Sequence, residues 1–208
     1  MLSMPANGWH MITVVRALAL ALTVSLPAVG YAASEETSAP KLPDFPVSFG
    51  GPFELVDHTG ARRSDTDFRG DFLLIYFGYT YCPDICPTNL QTMTEALDLL
   101  GDKAEQVQPL FISVDPARDT VEALGDYVPH FHPRLVGLTG SEPQVRAAAK
   151  AYRIHRSKVV MADAAPEDYL VNHSSITYLM GPDGKFVTLF PHDTKADFMA
   201  QAITKYLK

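Results

Sequence analysis

"DFLLIYFGYTYCPDICPTNL", residues Asp71 to Leu90, holds both cysteines of the chain and joins two kinds of pattern. Its first half is almost unbroken apolar sequence, as in a strand buried on both faces of a sheet. Its second half leads into Leu90, Met93, Leu97 and Leu100, which recur at helical spacing. A central strand therefore runs straight into a cysteine loop and then into a helix. Three residues separate Cys82 from Cys86. That is one more than in the C-x-x-C pair of dithiol oxidoreductases, and a structural zinc site would need further ligands from elsewhere.

Working outward, "PFELVDHTG" reads as a strand and turn, "VQPLFISV" as a second buried strand and "RLVGL" as a short one. Helices are predicted through "TVEALGDYV" and "EPQVRAAAKAY". The chain closes with "SSITYLM", the turn "GPDG", "KFVTLF" and an amphipathic helix from about Lys195 to Leu207, so the last two strands form an antiparallel hairpin. A βαβ half followed by a ββα half predicts an α/β, thioredoxin-like fold: a central mixed sheet flanked by helices, with a C-terminal β-hairpin and helix. Residues 153–172, "RIHRSKVVMADAAPEDYLVN", show no clean period and read as an excursion over the surface near the next motif.

With 208 residues, 47% hydrophobic and 20% charged, the chain suits one globular domain. Residues 1–33 contain one strong charge, Arg16, ahead of a Pro-interrupted apolar run, which predicts an export signal or a membrane anchor. Residues 34–48 carry three prolines and no periodicity, as expected of a flexible linker. Residues 49–208 form the folded domain, expected in the periplasm or another extracytoplasmic space, with membrane contact only through the N-terminal segment if that segment is uncleaved. Removing residues 1–33 takes away Arg16 and no acidic residue, so the net charge of −7 becomes −8. That sign argues against nucleic acid as a partner.

Pro87 after Cys86 suits the first helical turn, which makes Cys86 the expected N-cap and gives it a lowered pKa through the helix dipole. A structural disulfide is the plain alternative for two cysteines in an exported chain. Closing so short a loop contributes only about 2 kcal/mol, however, and a domain of this size has little need of it. The Cys82–Cys86 pair is also a candidate redox-active disulfide. Among the seven histidines, His58, His130 and His132 fall in turns or loops, whereas His173 opens the stretch "HSSITYLM" beside the cysteine loop. No proline lies between Glu167 and Met180, so the cis-proline that faces the thiols in thioredoxins is missing and an imidazole is supplied instead. Two thiolates and one imidazole make a soft, low-coordinate site suited to copper, Cu(I) or Cu(II), with zinc or a metal-free core histidine as alternatives.

Taken in order, "YCPDICPTNL", "FISVDPARDT" and "YLVNHSSITYLMGPDG" resemble the Sco/SenC family of copper chaperones for cytochrome c oxidase over about Phe49 to Leu207. The resemblance implies Cys82, Cys86 and His173 as copper ligands and delivery to the binuclear copper site. The implied partner is the oxidase subunit that carries it. Other periplasmic copper chaperones and thiol reductases are further expected partners. No catalytic residue is implied, and the chain is expected to be a metal carrier rather than an enzyme. A thiol-disulfide reductase that keeps a partner's copper cysteines reduced is the alternative. The family's usual aspartate before the ligand histidine is Asn172 here, which changes what can support the imidazole. Its D-x-x-x-D stretch corresponds to Asp115 and Asp119, a docking or auxiliary element by resemblance. The run Asp119-Thr120-Val121-Glu122 also looks like a helix cap, which would account for Asp119 without metal.

Overall fold

In a computed structural model of the chain, residues 49–208 are described apart from 161, 163, 164, 166 and 167. The export and linker segments, 1–48, lie outside the described residues. The first strand, β1 (Glu54–Asp57), turns back into β2 (Arg62–Ser64), and β3 (Phe72–Gly78) follows after a short 3-10 turn. Next come helix α1 (Ile85–Leu100), strand β4 (Val107–Ser113), helix α2 (Val121–Tyr127), strand β5 (Val136–Thr139) and helix α3 (Glu142–Ala151). The chain then forms β6 (Arg156–Val160), β7 (Tyr169–His173), β8 (Ile176–Met180), β9 (Phe186–Pro191) and α4 (Ala196–Thr204).

Seven strands make one sheet in the order β2-β1-β5-β4-β3-β8-β9. β3 lies in its interior, parallel to β4 with Ile75 opposite Leu110, and antiparallel to β8 with Ile75 opposite Tyr178. Leu74 through Phe77 are fully buried, as an apolar run flanked by strands on both sides and layered against helices requires. The mixed sheet, the terminal β8–β9 hairpin and the closing helix agree with the sequence expectation. Helix α1 packs with α4, while α2 lies on β5 and α3 on β1.

The 153–172 stretch departs from expectation. It is no structureless excursion: β6 and β7 pair antiparallel as a separate two-stranded sheet, with Arg156 opposite His173 and Val159 opposite Leu170. β6 is mostly exposed, so little apolar alternation was needed to specify it, and the periodic signal was correspondingly weak. His173 thus closes β7 rather than opening β8.

Candidate metal centre

The cysteine loop sits where β3 ends and α1 begins. The N-cap of α1 is Asp84, and Cys86 is the second residue of the helix, which corrects the expected N-cap assignment. The reason is positional: Pro87 falls at the third helical position, and its missing N–H is still one of the donors that the first turn leaves unbonded. The consequence for the thiols is a reversal. Cys82 lies in front of the helix start, and its Sγ accepts from the Cys86 N–H at 3.4 Å. A hydrogen bond from the Cys86 thiol, with those from the Asp84 and Cys86 amides, outweighs burial and draws Cys82 down to about 3. The charged neighbour and burial together push the Cys86 thiol upward. Both cysteines are free thiols.

Cys86 is fully buried against β3, and the strand makes room for it at Gly78. A methyl group added at Gly78 would lie 3.0 Å from Cys86 Sγ, 2.9 Å from a Tyr76 ring carbon and 2.7 Å from one of Phe111. Beside the sulfur, the Tyr76 hydroxyl donates toward Cys86 Sγ at 3.7 Å and lies 3.1 Å from Ser175 Oγ. Asn89 completes this buried polar group, with Nδ2 2.9 Å from both the Ile85 carbonyl and His192 Nδ1. Neither Gly78 nor the Tyr76–Asn89–Ser175 group was singled out by motif. The one available signal was a glycine closing a run of bulky strand residues.

His173 arrives on β7, 87 positions along the chain from Cys86, and places Nε2 3.4 Å from Cys86 Sγ. Its other nitrogen, Nδ1, is 3.1 Å from the Ser174 carbonyl, a partner that can only accept. Nδ1 therefore carries the proton, leaving the Nε2 lone pair facing the sulfurs, the usual arrangement of a metal-binding imidazole. Tyr79 meets the ring edge-on, with centroids 5.8 Å apart. Asn172, before the histidine, lines the cavity instead, and the Ser174 carbonyl takes the supporting position at Nδ1. No trio of His, Cys, Asp or Glu among the described residues stands at closed metal-site spacing. Cys82 and His173 line an opening, and Cys86 lies fully buried beside the His173 ring.

That opening is a cavity of about 320 Å³ lined by Tyr79, Cys82, Ile85, Val159, Leu170 and His173, among others. A larger groove of about 450 Å³ between β1, β2 and α3 has arginine and carboxylate walls but neither thiol nor imidazole. His132 is elsewhere, with Nδ1 accepting from the Arg134 N–H, and His58 Nδ1 accepts from the Gly137 N–H.

The two aspartates have structural partners that their spacing did not reveal. Thr120, not Asp119, caps α2 by accepting from the Ala123 N–H, which corrects the cap assignment. Asp119 is fully buried, and its carboxylate accepts from Ser113 Oγ at 2.6 Å, Thr80 Oγ1 at 2.7 Å and the Thr80 N–H. Burial raises its pKa against the pull of these donors. It latches the start of the cysteine loop to β4. Asp115, also buried, is ion-paired to Arg118 Nε at 2.6 Å and accepts from the Tyr169 hydroxyl at 2.8 Å.

A family profile described as SCO1/SenC matches residues 43–208. The chain belongs to the SCO1/SenC family. Among its relatives, "Protein sco1" of the fission yeast Schizosaccharomyces pombe is 38% identical over 208 residues, covering 96% of this chain and 79% of the relative. The human "Protein SCO1 homolog, mitochondrial" is 44% identical over 161 residues, covering 76% of this chain and 53% of the relative, so the chain matches about half of that protein's length. Among solved structures of the family, Arabidopsis thaliana ScoI, determined with copper bound, superposes with a TM-score of 0.71 at 40% identity. That match covers 76% of this chain and 96% of the Arabidopsis one.

Proposed function

We propose that this chain is a copper carrier that holds one ion through Cys82, Cys86 and His173 and hands it to the copper-site subunit of cytochrome c oxidase. The observation that carries the reading is the approach of His173 Nε2 to Cys86 Sγ at 3.4 Å with Nδ1 turned to a carbonyl. Two soft sulfurs select Cu(I), and an imidazole suits either oxidation state. A thiolate at Cys82 is ready to bind before any ion arrives, while Cys86 releases its proton on ligation. The cavity leaves one side of the donor set open, so a recipient's thiolate or imidazole can enter before the carrier's donors leave. Copper-bound Arabidopsis ScoI, similar over 76% of this chain, supports copper as the cargo. The apolar, Arg16-led N-terminal segment supports an extracytoplasmic location.

The unequal thiols favour a second reading, a reductase for the recipient's copper cysteines. In it the Cys82 thiolate attacks a partner disulfide, forming a mixed disulfide and releasing one partner thiolate. Cys86, after losing its proton, displaces the second, so that the partner gains two electrons and Cys82 and Cys86 end as a disulfide. Replacing His173 separates the readings. His173→Ala is expected to keep the thiol pair and its disulfide exchange, to lose the Cu(II) spectrum of wild type, and to weaken Cu(I) binding in a competition titration. Unchanged Cu(II) spectra and Cu(I) affinity in this variant would remove His173 from the ligand set.

A further inference from the structure

The geometry points to Arg118 as the positioning residue that seats the β6–β7 hairpin, and with it His173, against the cysteine pair. This rests on the ligand reading of His173 above. The hairpin shares no ladder with the seven-stranded sheet, so the place of β7 is set by its chain connections and by side-chain joints. One joint is Arg156 to Glu142 on α3, at 2.8 Å and partly exposed. Tyr169 and Val171 pack into the core, and the Val171 backbone is bonded to Tyr79. The most elaborate joint is at Arg118. Arg118 donates from Nε to Asp115 and from Nη1 to the Tyr169 carbonyl at 2.9 Å, and the Tyr169 hydroxyl donates back to Asp115. Arg118, Asp115 and the first residue of β7 therefore close a triangle.

The guanidinium also lies over three aromatic rings: Tyr169 at 3.7 Å, Tyr81 at 4.7 Å and Tyr79 at 5.7 Å from their centroids. Tyr79 and Tyr81 belong to the cysteine loop, and Tyr169 to the hairpin. Arg118 thus touches both halves of the candidate site without facing the sulfurs itself. Its Nη2 is buried without a hydrogen-bond acceptor, as suits a planar cation stacked among rings rather than a charge offered to solvent. Tyr79, packed between Arg118 and the His173 ring, carries the contact onward. Asp119 on the same turn holds Thr80, so residues 115–119 grip the loop on one side and the hairpin on the other. A lysine keeps the charge but has neither the fork nor the plane.

The test compares wild type, Arg118→Ala, Arg118→Lys, His173→Ala and the double variant Arg118→Ala/His173→Ala, with Tyr169→Phe as a milder cut that keeps the ring. In the metal-free protein, amide hydrogen exchange over Tyr169–His173 is expected to accelerate at least tenfold in Arg118→Ala while β3 and β4 keep their protection. Cu(I) affinity is expected to fall about 10-fold, the lower end of what supporting residues around a metal contribute. The same substitution made on His173→Ala should cost nothing more. Arg118→Lys should resemble alanine, and Tyr169→Phe should shift exchange in the same direction by a smaller factor.

Unchanged hairpin exchange in both Arg118→Ala and Tyr169→Phe would overturn the inference. So would an affinity loss that persists undiminished without His173, or a lysine variant indistinguishable from wild type. If His173→Ala alone leaves copper binding intact, the ligand reading falls instead, and the exchange data still decide whether Arg118 seats the hairpin.

Discussion

The cysteine loop and the β6–β7 hairpin bring donors to the same opening but are built in opposite ways. The loop is wedged into the core: Cys86 is fully buried beneath Gly78, and Thr80 is bonded to a buried carboxylate anchored on β4. The hairpin is a two-stranded ribbon with an exposed first strand and side-chain attachments to the body. Two-stranded ribbons are marginal by themselves, and local opening is cheapest where apolar contacts are few. The sulfur pair is therefore preorganised, while the imidazole is held by a more easily displaced element. On the proposed carrier reading, that division makes His173 the donor expected to yield first.

The comparison can be broken most severely at the thiols. With Cys82 drawn down to about 3 and Cys86 pushed up, thiolate resides on Cys82 throughout the neutral range. A lowered pKa keeps the charged form until pH falls through that value. Alkylation of Cys82 in the metal-free protein should hence be nearly flat between pH 8 and 5, where thiolate from an ordinary thiol falls about 10³-fold. Cys86 should stay unmodified, as mass spectrometry of the labelled peptides would show. Equal labelling of both cysteines, or a tenfold rate drop per pH unit, would mean that the loop does not polarise the pair.

A smaller effect is expected from Gly78→Ala. The added methyl would crowd Phe111, Tyr76 and the Cys86 sulfur within an otherwise filled core, for a loss of about 1–3 kcal/mol in denaturant unfolding. Hairpin exchange should be untouched, because the strain lies on the other side of the site. A neutral substitution would show that the loop is looser than its burial suggests. The least effect is expected on the hairpin's outer attachment. Glu142→Ala removes the partners of Arg146 and Arg156 at a partly exposed position, for a loss below about 1 kcal/mol in thermal unfolding. A larger loss would move the hairpin's main anchorage from Arg118 to α3.

How much of this could be read along the chain differs by region. The run Phe72 to Phe77 announced a buried central strand because both of its faces meet protein, and the helical recurrence after Cys86 placed the thiols at a strand-to-helix junction. The hairpin was invisible for the converse reason: Arg156 to Val160 face mostly solvent and are paired through backbone bonds that leave little trace in side-chain pattern. Asp119 departs from its local pattern. Asp119 has cap-like neighbours, yet its carboxylate turns inward to Ser113 and Thr80, and the hydroxyl of Thr120 does the capping. Arg118 sits in a motif that drew notice for its aspartates, and its partners lie 39, 37 and 51 residues away.

By itself, the order of residues determined the layered α/β plan, the pairing of Cys82 with Cys86 in one loop, and the candidacy of His173, since burial, helical period and donor chemistry are local properties of sequence. Tertiary structure alone decided which thiol carries the charge, which nitrogen of His173 faces the sulfurs, and what holds the hairpin in place. Each depends on groups brought within a few ångströms by folding, and electrostatic and hydrogen-bonding energies are set by that distance rather than by separation along the chain.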